Sequence, residues 1–383
     1  MSVVRWLTAL VMAAQGAVYA GENGWTNIGP IGGTYWEIVV DPYDPNIFYT
    51  TTGAGLFKSE DGGASWKNAG LNGLAVYGLT MDPQDPDILF AVATNGRRDD
   101  ASVIHMFKST DAGASWNESD AGLSGCCISL AIDPQNTDTL YVLSTNPSRG
   151  IFRSTDAGAT WQRVYALSED LYFDDLVTDA NTPGVLYAGA RFVSGNSAIF
   201  KSVDGGASWN EADTGLEDLF GPVHLPIHLT VDPRGPTIYA TITGSLLVRT
   251  TDGAETWHAV GPLPIENRNN QSIAAMVIDP RDSNTLYIPR AQSLQLSVIF
   301  KSTDGGASWT PSTPVPDMQW TLFSSRAITL DPETPARCTP PRRAACTGAS
   351  MGAQVLRCIP GRERFPWPQS RPIHSARAIY WPD

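Results

Sequence analysis

Cysteine is scarce in this chain, with 5 in 383 residues. Cys126 and Cys127 are adjacent, and Cys338, Cys346 and Cys358 sit near the end. No paired spacing suggests a disulfide framework, and none combines with the 5 histidines as metal ligands do. The expectation is therefore no essential disulfide, no metal and no cofactor. Positive charge is also short: 26 Lys and Arg against 39 Asp and Glu leave a net charge of −13. An acidic surface argues against nucleic acid or an anionic membrane as partner. No stretch after Ala20 approaches the roughly 20 apolar residues that a spanning helix needs. Nucleophile elbows, phosphate loops and redox motifs are missing as well.

What the chain has instead is repetition. The pattern Ser-x-Asp-x-Gly-x-x-Trp recurs around Asp61, Asp111, Asp156, Asp204 and Asp304. A variant around Asp252 has Thr250 for the serine and Ala254 for the glycine. Successive aspartates are 50, 45, 48, 48 and 52 residues apart, a period typical of propeller blades. An apolar-polar alternation such as Gly55-Leu-Phe-Lys-Ser59 precedes the pattern and reads as a strand with one buried face. The aspartate can then accept backbone amides, glycine takes the left-handed conformation of a tight hairpin, and the serine adds a second side-chain-to-backbone bond. The tryptophans, Trp66, Trp116, Trp161, Trp209, Trp257 and Trp309, open the next strand and cover the hairpin. Residue types and spacing account for the motif as a structural staple.

These residues resemble the Asp-box, or BNR, repeat, over about residues 24–332. That family includes sialidases, sortilin-type receptors, xyloglucan-cleaving endoglucanases and photosystem II assembly factors. The resemblance implies that each box joins the third and fourth strands of a blade, away from the ligand site. It says little about activity, since one fold hosts many sites.

A second element gives a count. Strand-like runs end at Asp41, Asp82, Asp133, Asp179, Asp232, Asp279 and Asp331, all but Asp179 followed by proline. Gly24-Trp25-Thr-Asn-Ile looks like the strand that follows a box, yet no box precedes it. The expected fold is all-β: a seven-bladed β-propeller of four-stranded antiparallel blades. Its last blade is incomplete, and the N-terminal strand closes the ring.

Residues 1–20 read as a signal peptide cut after Ala20, with Arg5 before a short apolar core. The propeller is assigned to 21–336 and the protein is expected to be secreted or periplasmic. Residues 337–383 change character, with eight arginines, no lysine, one Glu and one Asp, a net of +6. Read one nucleotide earlier, permitted codons for Ala336 to Val355 yield the missing strands and a seventh box. The tail is accordingly read as frameshifted and disordered; a genuine basic tail is the alternative.

The face opposite the boxes is where propeller ligands are expected. Candidates there are Arg97 and Arg98 beside Asp99-Asp100, Tyr172 beside Asp174-Asp175, Arg191, Phe192, His224, Arg268 and Trp320. Aromatics with polar neighbours suit a sugar or peptide. Sialidase chemistry is disfavoured because the Arg-Ile-Pro signature before the first box is missing. The xyloglucan-cleaving enzymes set two carboxylates across a cleft between two propellers, and this chain has length for one. No catalytic residue is assigned. The expectation is a monomeric, non-enzymatic binder of protein or polysaccharide, with a glycoside hydrolase as the alternative.

Overall fold

The computed structural model describes residues 10–14, 16–21, 24–27, 35–94, 104–123, 127–144, 148–216, 227–242, 246–263, 276–293, 296–311 and 328–330. The repeat builds four-stranded antiparallel blades from consecutive strands. Blade one is Tyr35–Val40, Phe48–Thr52, Gly55–Ser59 and Lys67–Asn68. Blade two is Ala75–Met81, Leu89–Thr94, Ile104–Ser109 and Asn117–Glu118. Blade three is Cys127–Ile132, Leu140–Ser144, Gly150–Ser154 and Gln162–Ala166. Blade four is Leu171–Thr178, Leu186–Phe192, Ser197–Ser202 and Asn210–Glu211. Blade five is Ile227–Val231, Ile238–Ile242, Leu246–Thr250 and His258–Pro262. Blade six is Val277–Asp279, Asp282–Ser293, Leu296–Ser302 and Thr310–Pro311.

The expectation of seven blades is therefore corrected: the repeat makes a six-bladed propeller. A seventh repeat blade fails because no seventh box follows Leu330. Instead Ile328–Leu330 enters a composite sheet with Leu10–Ala14, Gly16–Gly21 and Gly24–Asn27, in that order. Its register pairs Leu10 with Leu330 and Met12 with Ile328. The expected gap of two strands does not occur, because the apolar segment read as a signal peptide supplies both. This sheet touches the inner strands of blades six and one.

Burial follows from the stacking of blades. The second strands of blades one to three, for example Leu89–Thr94, are buried along their whole length. Both faces of such a strand are covered by neighbouring blades, so alternation disappears. The core accordingly lies in layers between blades. One layer joins Tyr141, Leu143 and Ile151 of blade three to Phe173, Leu176 and Leu186 of blade four.

Each box is a clasp of hydrogen bonds. In blade two, the Ser115 amide and hydroxyl donate to the two Asp111 carboxylate oxygens at 2.8 and 2.5 Å. The buried Ser109 hydroxyl donates to Asp111 at 2.8 Å and accepts the Gly113 amide at 2.8 Å. Ala112 and Gly113 have φ of 55° and 84°, and the Ala114 amide bonds the Asp111 carbonyl. Two successive left-handed residues are what a type I′ turn demands, so glycine at the second costs nothing sterically. Blade five keeps the clasp with Thr250: its hydroxyl accepts the Ala254 amide at 3.1 Å.

The clasps also reach sideways. The Trp116, Trp161 and Trp257 indoles donate to carbonyls of the preceding blade, those of Ala69, Ser119 and Ala212, at 2.7–2.8 Å. Trp209 bonds Gly206 in its own box, and Trp309 buries its indole nitrogen without a partner among the described residues. In return, Tyr49 of blade one donates to Ala112 of the next box, Lys108 to Ala157, and Lys201 to Gly253.

Hydrogen bonds from the hydroxyl of the Ser or Thr four residues on, from that residue's amide and from the box serine hold Asp111, Asp156, Asp204 and Asp304 at about 2, well below the usual carboxylate. Asp61 and Asp252 are lowered too, Asp61 chiefly by Ser65 and Asp252 chiefly by Thr250. A depressed folded pKa stabilises the fold above the unfolded value of about 3.9, and that stability is lost as pH falls through about 2. Thermal melts should therefore fall between about pH 4 and pH 2, and an Asp111→Asn, Asp156→Asn double variant should fall less steeply; parallel curves would contradict this. A second expectation concerns Ser154, which is 1% exposed and accepts the Gly158 amide at 2.9 Å. Ser154→Ala leaves that amide unpaired and should cost about 1–3 kcal/mol in urea unfolding. A loss below about 0.5 kcal/mol, the range of neutral surface changes, would show that the clasp contributes little.

Candidate functional site

The two ends of the propeller are chemically different. At one end, the box turns of blades one to four are bonded to the turn between the first and second strands of their own blade, as Gly62 to Asn46 and Gly205 to Gly184. The turns between first and second strands form a relay. Tyr43 donates to Pro83 of blade two, Gln84 to Pro134, Gln135 to Ala180, and Asn181 to Gly235. Arg234 reaches Arg281 of blade six in the same way. This end is occupied with holding the ring together.

The opposite end carries the described candidates. Tyr172 is the second residue of the inner strand of blade four and pairs with Arg191, while Leu171 pairs with Phe192. Tyr172 is 43% exposed, which is high for an aromatic. The Arg149 guanidinium of blade three stacks 4.1 Å from the Tyr172 ring centroid. Arg149 is locked there by donating to the Leu171 carbonyl at 2.6 Å and the Glu169 carbonyl at 3.2 Å. Sequence reading missed Arg149, since nothing in its own segment marks it; the contact crosses between blades.

Arg191 grips Asp174 with two bonds, Nε to Oδ2 at 2.7 Å and Nη2 to Oδ1 at 2.6 Å. That pairing raises the Arg191 pKa above its ordinary value, against some desolvation. Asp175 turns the other way and accepts the Leu229 amide of blade five at 3.1 Å. A register shift between Phe173 and Asp175 lets the neighbouring acids diverge. Glu37 of blade one does the same as Asp175, accepting the Leu79 amide of blade two at 2.7 Å. These inner-strand acids are inter-blade ties that the sequence did not reveal. Phe192 packs inward, its ring 6.2 Å from Phe200. The structure thus brings Tyr172, Arg191 and Phe192 together on blade four. Arg97, Arg98, His224, Arg268 and Trp320 lie outside the described residues.

No protein-family profile and no curated protein sequence matches the chain. Solved structures do match, and they are β-propellers. A GH74 xyloglucanase from Xanthomonas campestris superposes with a TM-score of 0.59 at 20% identity, covering 76% of this chain and 46% of that one. This chain thus spans about half the length of the xyloglucanase. YCF48 bound to D1 peptide superposes at 0.52 with 15% identity, covering 81% and 88% of the two chains. YCF48 from Cyanidioschyzon merolae gives 0.54 at 16% identity, covering 80% and 94%. At such identities the likeness establishes a shared β-propeller fold.

Proposed function

We propose that this chain is an exported, monomeric propeller that binds a protein or polysaccharide through the face bearing Tyr172, without turning it over. The observation that carries the reading is the engagement of Asp174 and Asp175. Both Asp174 oxygens are taken by Arg191, and Asp175 holds a backbone amide. Glycoside hydrolysis needs one carboxyl to protonate the leaving oxygen and another to attack or activate water. With both oxygens held by one guanidinium, Asp174 has neither oxygen free to face a leaving group or a water. The exposed Tyr172 ring, with the Arg149 guanidinium over it, instead offers an aromatic and cationic surface suited to a sugar ring or a peptide side chain. The peptide carried by one YCF48 of similar fold supports a binding role on this architecture.

Glycan and peptide arrays on the full chain, paired with a reducing-sugar assay on the glycans retained, test this. The expected result is saturable binding without sugar release, weakened at least tenfold by Tyr172→Ala. Release of reducing sugar, abolished by a single Asp→Asn substitution on this face, would make the protein a glycoside hydrolase instead.

A further inference from the structure

On the outer hairpin of blade two, the ladder pairs Phe107 with Glu118, and the Ser119 amide donates to the Met106 carbonyl at 2.8 Å. Continuing that register sets His105 opposite Asp120, with Glu118 diagonal to it. Residues two apart share a face of a strand, so His105, Glu118 and Asp120 emerge on the same side. The alternate residues, Met106 and Ser119, are buried. One nitrogen of His105 and one oxygen from each acid lie within 4.8 Å of one another. His105 Nδ1 is 2.8 Å from Asp120 Oδ2, and neither side chain is sealed off, being 37% and 28% exposed.

The charge in this cluster is unbalanced. Among the described residues, the Glu118 carboxylate has no ion-pair partner, and no lysine or arginine pairs with Asp120. Two carboxylates beside an imidazole make a site of one nitrogen and two oxygens with a formal charge of −2. Drawing the donors around a zinc ion, at about 2.0–2.2 Å each, brings them to roughly 3.3–3.5 Å apart in a tetrahedron. Glu118 is exposed on a two-residue strand and can supply that movement. Magnesium and calcium prefer all-oxygen shells, whereas an imidazole ligand favours zinc and its neighbours in the transition series.

We infer that His105, Glu118 and Asp120 form a binding site for one divalent transition-metal ion of the zinc class. Three protein ligands leave a fourth position for water. Such a site lies outside what the sequence led us to expect. The no-metal expectation weighed cysteines against histidines, whereas these ligands are a histidine and two carboxylates 13 and 15 residues from it, brought together by strand pairing.

Zinc titrated by calorimetry into the full chain, with cysteines alkylated to remove competing thiolates, tests this. Circular dichroism would confirm that each variant is folded. One saturable zinc site is expected. His105→Gln should weaken it at least tenfold, with Asp120→Asn and Glu118→Gln each weakening it severalfold, and magnesium and calcium should bind far less tightly. Saturable zinc binding that survives His105→Gln unchanged, its lack in the parent protein, or equal affinity for magnesium would overturn the assignment.

Discussion

A buried hydroxyl in each box is the contact on which the ring depends. Ser59, Ser109, Ser154, Ser202, Thr250 and Ser302 each accept an amide from a left-handed residue and donate to the box aspartate. Without it, that amide would be sealed from water and unpaired. With it, the turn becomes rigid enough to present carbonyls to the blade before it. The turn's stiffness is therefore what converts isolated hairpins into neighbours.

Around the clasp, the same contacts recur from blade to blade. The cation that ends the third strand lies over the aromatic of the second, as Lys58 over Tyr49, Lys108 over Phe90, Lys201 over Tyr187 and Lys301 over Tyr287, all at 5.4–5.7 Å. Lys108 and Lys201 then use their ammonium protons on the next box. Burial raises the Tyr49 and Tyr187 pKa, with nearby acids adding to it, so these phenols remain neutral donors. Packing supplies the area and the polar contacts supply the register, an arrangement suited to repeats that bury their faces only against each other.

The sequence made the blades legible because the box is local: all its partners lie within four residues of the aspartate. Period and turn chemistry were sufficient for strand order and blade type. The blade number was overestimated because Asp331-Pro332 looks like the start of another blade, while the pairing of Ile328–Leu330 with Leu10–Ala14 links opposite ends of the chain. No local pattern encodes such a contact. The candidate face was half legible for the same reason. Tyr172 and Arg191 could be placed at one end by strand order, but the Arg149 stack, the Asp174–Arg191 pair and the Asp175 tie depend on a bulge and on neighbouring blades. Tryptophan was read as cover for its own hairpin, and in blades two, three and five it bonds the blade before instead.

Amide hydrogen exchange in Lys108→Met tests most directly whether the clasps bind blade to blade. Lys108 belongs to blade two and donates at 2.7 Å to Ala157 in the box of blade three. If the ring is held by such contacts, the Ala157 and Gly158 amides should exchange faster while those of Ala112 and Gly113, in the mutated blade's own box, keep their protection. Faster exchange confined to blade two, or none in blade three, would show that each clasp serves its own hairpin alone.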